Sequence, residues 1–202
     1  MTWLLGSFQG SCRRKRNRHL TDVELGPILG TRRKQTMQVT LKPTNFKNSG
    51  ALAFPGYISN GHWLIRKECV GNAALFDNID SIRAFLGKHD SGTSRLEESN
   101  KRAESIIAQP PNMVEFFKTP LLLESYRTLA RIYRSSSGEI AGIDEEYVKL
   151  FSLGSLFGTN GDSPFYALGA DELPEIVVMP TRQTAETLQE VFPATATATR
   201  AA

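Results

Sequence analysis

The chain is poor in metal-binding and redox side chains. It holds two cysteines, Cys12 and Cys69, and three histidines, His19, His62 and His89. No CxxC pair and no zinc-type spacing joins them, which excludes a disulfide scaffold and a structural zinc site. Long apolar runs are missing too: Ile176 to Met179 is far short of the ~20 residues a membrane helix needs. No GxGxxG or P-loop is present, and Gly154, Gly158 and Gly161 lack the Lys-Ser/Thr ending, so they read as turns. Near the start, Trp3-Leu4-Leu5 is too short for a secretory signal and its charges follow rather than precede it. What is there fits a folded, water-exposed domain: hydrophobic residues make up 40% and charged residues 22% of 202. Two cysteines without a framework suit a reducing, cytoplasmic setting.

Charge is unevenly placed. Residues 1–36 carry eight basic side chains, among them Arg13, Arg14, Lys15, Arg16 and Arg18, against the acids Asp22 and Glu24. That +6, in a chain of +3, leaves −3 for the other 166 residues. The basic pI therefore belongs to the leader and is no warrant for a basic surface on the folded part. Residues 1–36 read as a flexible arm or an over-called start with Met37 opening the domain, or else as an arm that touches nucleic-acid phosphates. At the other end, residues 184–202 are low in complexity and apolar content, and read as a tail.

Between them, 37–183 reads as one α+β domain. Met37–Leu41 alternates as a strand. Ala51–Ile58 and His62–Cys69 flank Asn60-Gly61, a strong hairpin signal. Asp77 or Asn78 can cap a helix carrying Ile79, Ile82, Phe85 and Leu86, closed by Gly87. Ser94-Arg-Leu-Glu97 has the form of a capping box opening a second helix to about Ala108, with a thin apolar face that suggests a solvated insertion. Strands follow at 114–118, 121–125, 128–134 and 139–143. Asp144 caps a short helix over 145–153, and strands at 156–159, 164–168 and 175–179 complete the domain. A β-α-β-β-β unit thus runs from Glu139 to Met179, and the first half reads as a looser copy starting at Met37. Two such units side by side predict helices on one sheet face.

Catalytic chemistry has little support. Cys69 and His62 are an odd number of residues apart, which in one strand puts them on opposite faces. Asp144, Glu145 and Glu146 are explained by a helix start, where acids oppose the positive end of the macrodipole. Asp162, Asp171 and Glu172 fall in turns. No enzyme activity, cofactor or metal is expected.

Two segments carry a resemblance. The first is Ile58-Ser59-Asn60-Gly61-His62-Trp63-Leu64-Ile65, and the second is Glu175-Ile176-Val177-Val178-Met179-Pro180-Thr181-Arg182. Together they resemble the bacterial DNA sliding clamp, the ring-shaped processivity subunit of the replicative polymerase. That family has a Thr-Asp-Gly-His-Arg-Leu-type hairpin and ends in Val-Val-Met-Pro-Met-Arg-Leu. The resemblance implies clamp domains of two β-α-β-β-β units and a shallow groove for short peptides of polymerases and other clamp partners. Gly61, His62 and Leu64 would form one wall of it; Val177, Val178, Met179, Pro180 and Arg182 would form the other. It also implies loose contact with duplex DNA, without sequence preference, through Arg83 and Lys88 on the first helix, Lys101 and Arg102 on the second, and the basic arm.

The departures are specific. Asn60 stands for an acid, Thr181 for a methionine and Gln183 for a leucine, while Trp63 stands for an arginine and would fill the groove rather than line it. A clamp chain has three such domains and closes a ring of two chains, so a one-domain chain would have to self-associate, join another clamp, or not encircle DNA. The alternative is a small interaction protein, from a phage or mobile element, of the same class and unrelated to clamps. On that reading Ile176–Met179 is a core strand ended by Pro180, and His62 and Trp63 only cover the sheet.

Overall fold

The computed structural model describes residues 38–47, 49–125 and 128–181. Among these, ten strands and three α-helices make a mixed α+β domain. The strands are β1 (Leu52–Ala53), β2 (Tyr57–Ser59), β3 (Trp63–Arg66), β4 (Arg95–Leu96), β5 (Val114–Ser125), β6 (Thr128–Ser135), β7 (Ile140–Asp144), β8 (Leu156–Gly158), β9 (Phe165–Leu168) and β10 (Pro174–Val178). The helices are α1 (Ile79–Leu86), α2 (Lys101–Ile107) and α3 (Glu145–Leu150).

Local chemistry explains most of the boundaries. Asn78 caps α1, its side chain accepting the Ser81 N–H at 2.7 Å, and Gly87, at φ +50°, ends it. Asp144 caps α3 in the same way through the Glu146 N–H at 2.8 Å. The expected strands at 114–118 and 121–125 are one strand with an irregularity between Lys118 and Leu122. Arg131 braces that irregularity by donating to the Pro120 carbonyl at 2.8 Å.

In the sheet the strand order is β4-β1-β2-β3-β10-β9-β8-β5-β6-β7. All neighbours are antiparallel except β1 and β4. At its centre β3 pairs with β10, Ile65 facing Ile176 and Trp63 facing Val178. Leaving β10, the chain turns back to β7, where the Thr181 N–H donates to the Gly142 carbonyl at 2.8 Å. The expected first strand, 37–41, is reduced in the described residues to a parallel bridge between Val39 and Val70.

Both faces of the central strands are buried. Trp63, Ile65, Ile176 and Val178 point into the main core, with Phe46, Ile82, Leu86, Val148 and Phe151. Leu64 and Val177, one residue out of phase, point the other way into a second core with Phe54, Ala103 and Tyr166. Helices α1 and α3 thus serve one face and α2 the opposite one, which corrects the expectation of helices on a single face.

Helix α2 is also no solvated insertion: Ala103 is fully buried, and Ile106 and Ile107 pack on the second core. Nor does Ser94 open it. The Ser94 hydroxyl accepts the Ala51 N–H at 3.1 Å and donates to Asp90 at 2.7 Å. Residues 95–96 form β4 beside β1, and the helix starts only at Lys101.

Candidate peptide-binding site

The β2–β3 turn is built by its own side chains. Asn60 Oδ1 accepts the N–H groups of His62 at 2.9 Å and Trp63 at 3.1 Å, and its Nδ2 donates to the Asn45 carbonyl at 3.0 Å. The Ser59 hydroxyl donates to the Trp63 carbonyl at 2.6 Å and accepts the Gly61 N–H at 3.0 Å. Gly61 sits at φ +89°, in the left-handed region that favours glycine. Because β3 and β10 are paired, this turn meets the end of β10: the Met179 N–H donates to the His62 carbonyl at 2.8 Å. Two segments more than a hundred residues apart therefore share one end of the sheet. Gly61, His62 and Met179 are exposed there and Pro180 is half-buried.

The remaining expected wall residues are elsewhere. Leu64 and Val177 lie beneath α2, and Val178 points into the main core. None of the three lines an open groove, because β3 and β10 are central strands whose two faces are both covered. Arg182 lies outside the described residues. Trp63 is not in a groove either. It is 2% exposed, with the rings of Phe46 and Phe151 edge-on at 5.5 and 5.3 Å. Its Nε1 is buried without a hydrogen-bond partner among the described residues.

Beside the turn stands the start of α3. Burial pushes the Asp144 carboxyl up, opposed by the Glu146 N–H and by nearby His62. The Tyr147 hydroxyl is raised chiefly by burial and is hydrogen-bonded to Asn60. Next to them Glu145 takes both its oxygens to Arg131, at 2.9 and 2.8 Å. Those bonds hold Glu145 below the usual carboxylate range and raise Arg131. The sequence reading of Glu145 as a helix-start acid missed this pair. A guanidinium on a neighbouring strand leaves no local spacing that would have shown it. Cys69 is buried, which pushes its thiol up to about 11 and makes it a poor nucleophile.

The basic candidates do not converge. Arg83 and Lys88 are exposed on α1 and the turn after it, and Lys101 and Arg102 are exposed on α2. Since α1 and α2 cover opposite sheet faces, these four side chains form no common basic surface. Arg13, Arg14, Lys15, Arg16 and Arg18 lie outside the described residues. Among the described residues there is no group of three or more His, Cys, Asp or Glu placed to hold a metal ion, and no helix long and apolar enough to cross a membrane. Searches against protein-family models, curated proteins and solved structures returned no match for this chain.

Proposed function

We propose that the chain is a non-enzymatic binding module of sliding-clamp type, taking short peptides of polymerases or other clamp partners at the end of the β3–β10 pair. One observation carries this reading. The Asn60-Gly61-His62 turn and the Val177-Val178-Met179-Pro180 segment, which carry the resemblance to the clamp family, are joined by the bond from Met179 to His62. The strand order supports it as well. Bridge residue Val39, the 3-10 turn Pro43–Phe46 and β1–β3 form one run, and β7, α3 and β8–β10 form a second; they lie side by side through β3 and β10. On this reading the two runs correspond to the two β-α-β-β-β units of a clamp-like domain, the first with a 3-10 turn in place of its helix and the second with β5 and β6 inserted between β7 and β8 in the sheet.

The exposed surface suits a peptide. Met179 supplies an adaptable apolar contact, Pro180 offers no N–H, and His62 can donate or accept beside them. Fluorescence titration of a clamp-binding peptide tests the reading. Met179→Ala is expected to weaken binding about tenfold with little change in melting, since an anchor residue contributes about 1–2 kcal/mol. A parent protein that ignores such peptides overturns it. The burial of Leu64 and Val177 favours a second reading, an interaction protein of the same class unrelated to clamps. Light scattering adds to the separation: self-association into a closed ring of copies fits the clamp reading, and a monomer without peptide affinity fits the other.

A further inference from the structure

The outer face of β6 and β7 holds buried apolar side chains that neither core accounts for. Tyr133, Ala141 and Ile143 point into the main core. Ala130, Ile132 and Gly142, one residue out of phase with them, therefore point to the opposite face. Ala130 and Ile132 are both 0% exposed, yet they belong to neither the main nor the second core. Strand neighbours do not explain this, because the residue directly opposite Ile132 is Gly142, which has no side chain to lay against it. Nor do the described helices: α1 and α3 serve the main core, and α2 covers Leu64, Tyr166 and Val177 on other strands. Further along the same face, Phe117 on β5 is 51% exposed. Cover is thus complete at β6 and gone by Phe117.

The chain's own end is within reach. Thr181, the last described residue, donates to the Gly142 carbonyl through its N–H at 2.8 Å and its hydroxyl at 3.0 Å. The chain therefore passes beside the residue opposite Ile132 with 21 of its 202 residues still to come. In helical spacing, Ala185, Leu188 and Phe192 fall at i, i+3 and i+7, with Val191 beside them, while Glu186 and Glu190 fall on the other side. Thr184 suits the N-cap of such a helix and Pro193 its stop. Nine helical residues are about 13 Å long, enough to cross two or three strands spaced at about 4.8 Å. That reach agrees with full cover at β6 and an exposed Phe117 on β5. Charge is complementary as well, since Arg134 stands on this face and the segment brings Glu186 and Glu190.

We infer that residues 184–192 form an amphipathic helix docked on the outer face of β6 and β7, over Ile132 and Gly142. Gly142, having no side chain, lets the segment lie close to the sheet. The low-complexity residues 193–202 take no part. Because the segment follows Met179 and Pro180, its docking also fastens the chain just beyond the candidate peptide site, although the inference does not depend on that site's role.

The test uses the full chain. The double substitution Leu188→Ser, Val191→Ser alters no sheet residue. It is expected to lower Tm by about 5 °C or more and to raise the fluorescence of an apolar dye several-fold as the face over Ile132 opens. An unchanged Tm without dye binding overturns the inference. A double-mutant cycle then places the segment. Ile132→Ala and Leu188→Ala are expected to lower Tm together by less than the sum of their separate shifts, since both empty one contact. Additive shifts put the segment elsewhere and overturn the inference. Ile132→Val, a milder truncation, takes the place of Ile132→Ala if that variant does not fold. Hydrogen exchange on the parent needs no variant at all. The Leu188 and Val191 amides are expected to exchange roughly a hundredfold more slowly than in a free peptide of residues 180–202. Equal rates overturn the inference, and so does protection seen only in a dimer by light scattering, which would seat the segment on a second copy.

Discussion

Asn60 shows how one side chain can set a turn. It is buried, accepts two backbone N–H groups, donates to Asn45 and is bonded to Tyr147. Asn60→Ala strands those donors and is expected to cost about 2–3 kcal/mol in urea unfolding. Glu145 and Asp144, adjacent in the chain, respond oppositely to pH. Glu145 is depressed chiefly by the bonds from Arg131, so its stabilisation is present above the unfolded carboxylate value and is lost as pH falls through the lower folded one. Asp144 is raised by burial, so the folded state takes up its proton first and gains relative stability as pH falls through that raised value. Glu145→Gln should lower stability by about 2–3 kcal/mol at pH 7, with the deficit closing below about pH 4. Asp144→Asn keeps the capping oxygen and should remove the gain on mild acidification. Urea midpoints of both variants at pH 7, 5 and 3.5 check the two signs. Leu64→Ala, which the resemblance would make a binding mutant, is expected instead to cost about 2–5 kcal/mol of stability, because that side chain is buried.

At the level of elements, the second half was legible, and in the first half so were the β2–β3 hairpin and α1 with its Asn78 cap and Gly87 end, but not the rest. Strands β5 to β10 and α3 fall within a few residues of their expected places because turn signals bound each one: Ser135 to Gly138, Asn160-Gly161 and the cap at Asp144. The first half hides its organisation in contacts between distant residues. Ser94 looks like a helix cap but serves the backbone of Ala51, 43 residues away. The apolar face of α2 looks thin because Ala103 counts for little on a hydropathy scale, yet its small size lets the helix lie close on the sheet. One signal for the second core was present. Trp63-Leu64-Ile65 and Ile176-Val177-Val178 are unbroken apolar runs, and a strand without alternation is buried on both faces. For the candidate site, the turn and the Met-Pro segment could be read from sequence; which of their side chains face water depended on the cover given by α2. Among the elements, α1 offers the simplest check. Asn78→Ala removes its cap and should lower stability by about 1 kcal/mol, seen as a small drop in Tm.

On the scale of the molecule, charge and fold are separated. Residues 37–202 carry −3, and among the described residues the four basic candidates on α1 and α2 are split between opposite faces of the sheet. DNA affinity, if measured by fluorescence anisotropy at several salt concentrations, is expected to come from the arm. Removing residues 1–36 should abolish most of it and flatten its salt dependence, since every phosphate the arm neutralises adds about one released counterion to the slope. Unchanged binding after that truncation would place the DNA surface on the folded domain.

The pairing of β3 with β10 also has a consequence in time. Ile65 and Ile176 face each other across 111 intervening peptide bonds, and they sit at the middle of the sheet, not its margin. A nascent chain therefore carries the β1–β3 meander with a long unsatisfied edge until nearly the whole domain has been synthesised. Loop closure over that distance must precede the contacts that reward it, which places folding in the slow, millisecond-to-second range of sheet proteins. During that interval the Trp63–Arg66 edge is open to any other extended chain. Fragments ending before Pro174 are thus expected to aggregate, where the full domain does not.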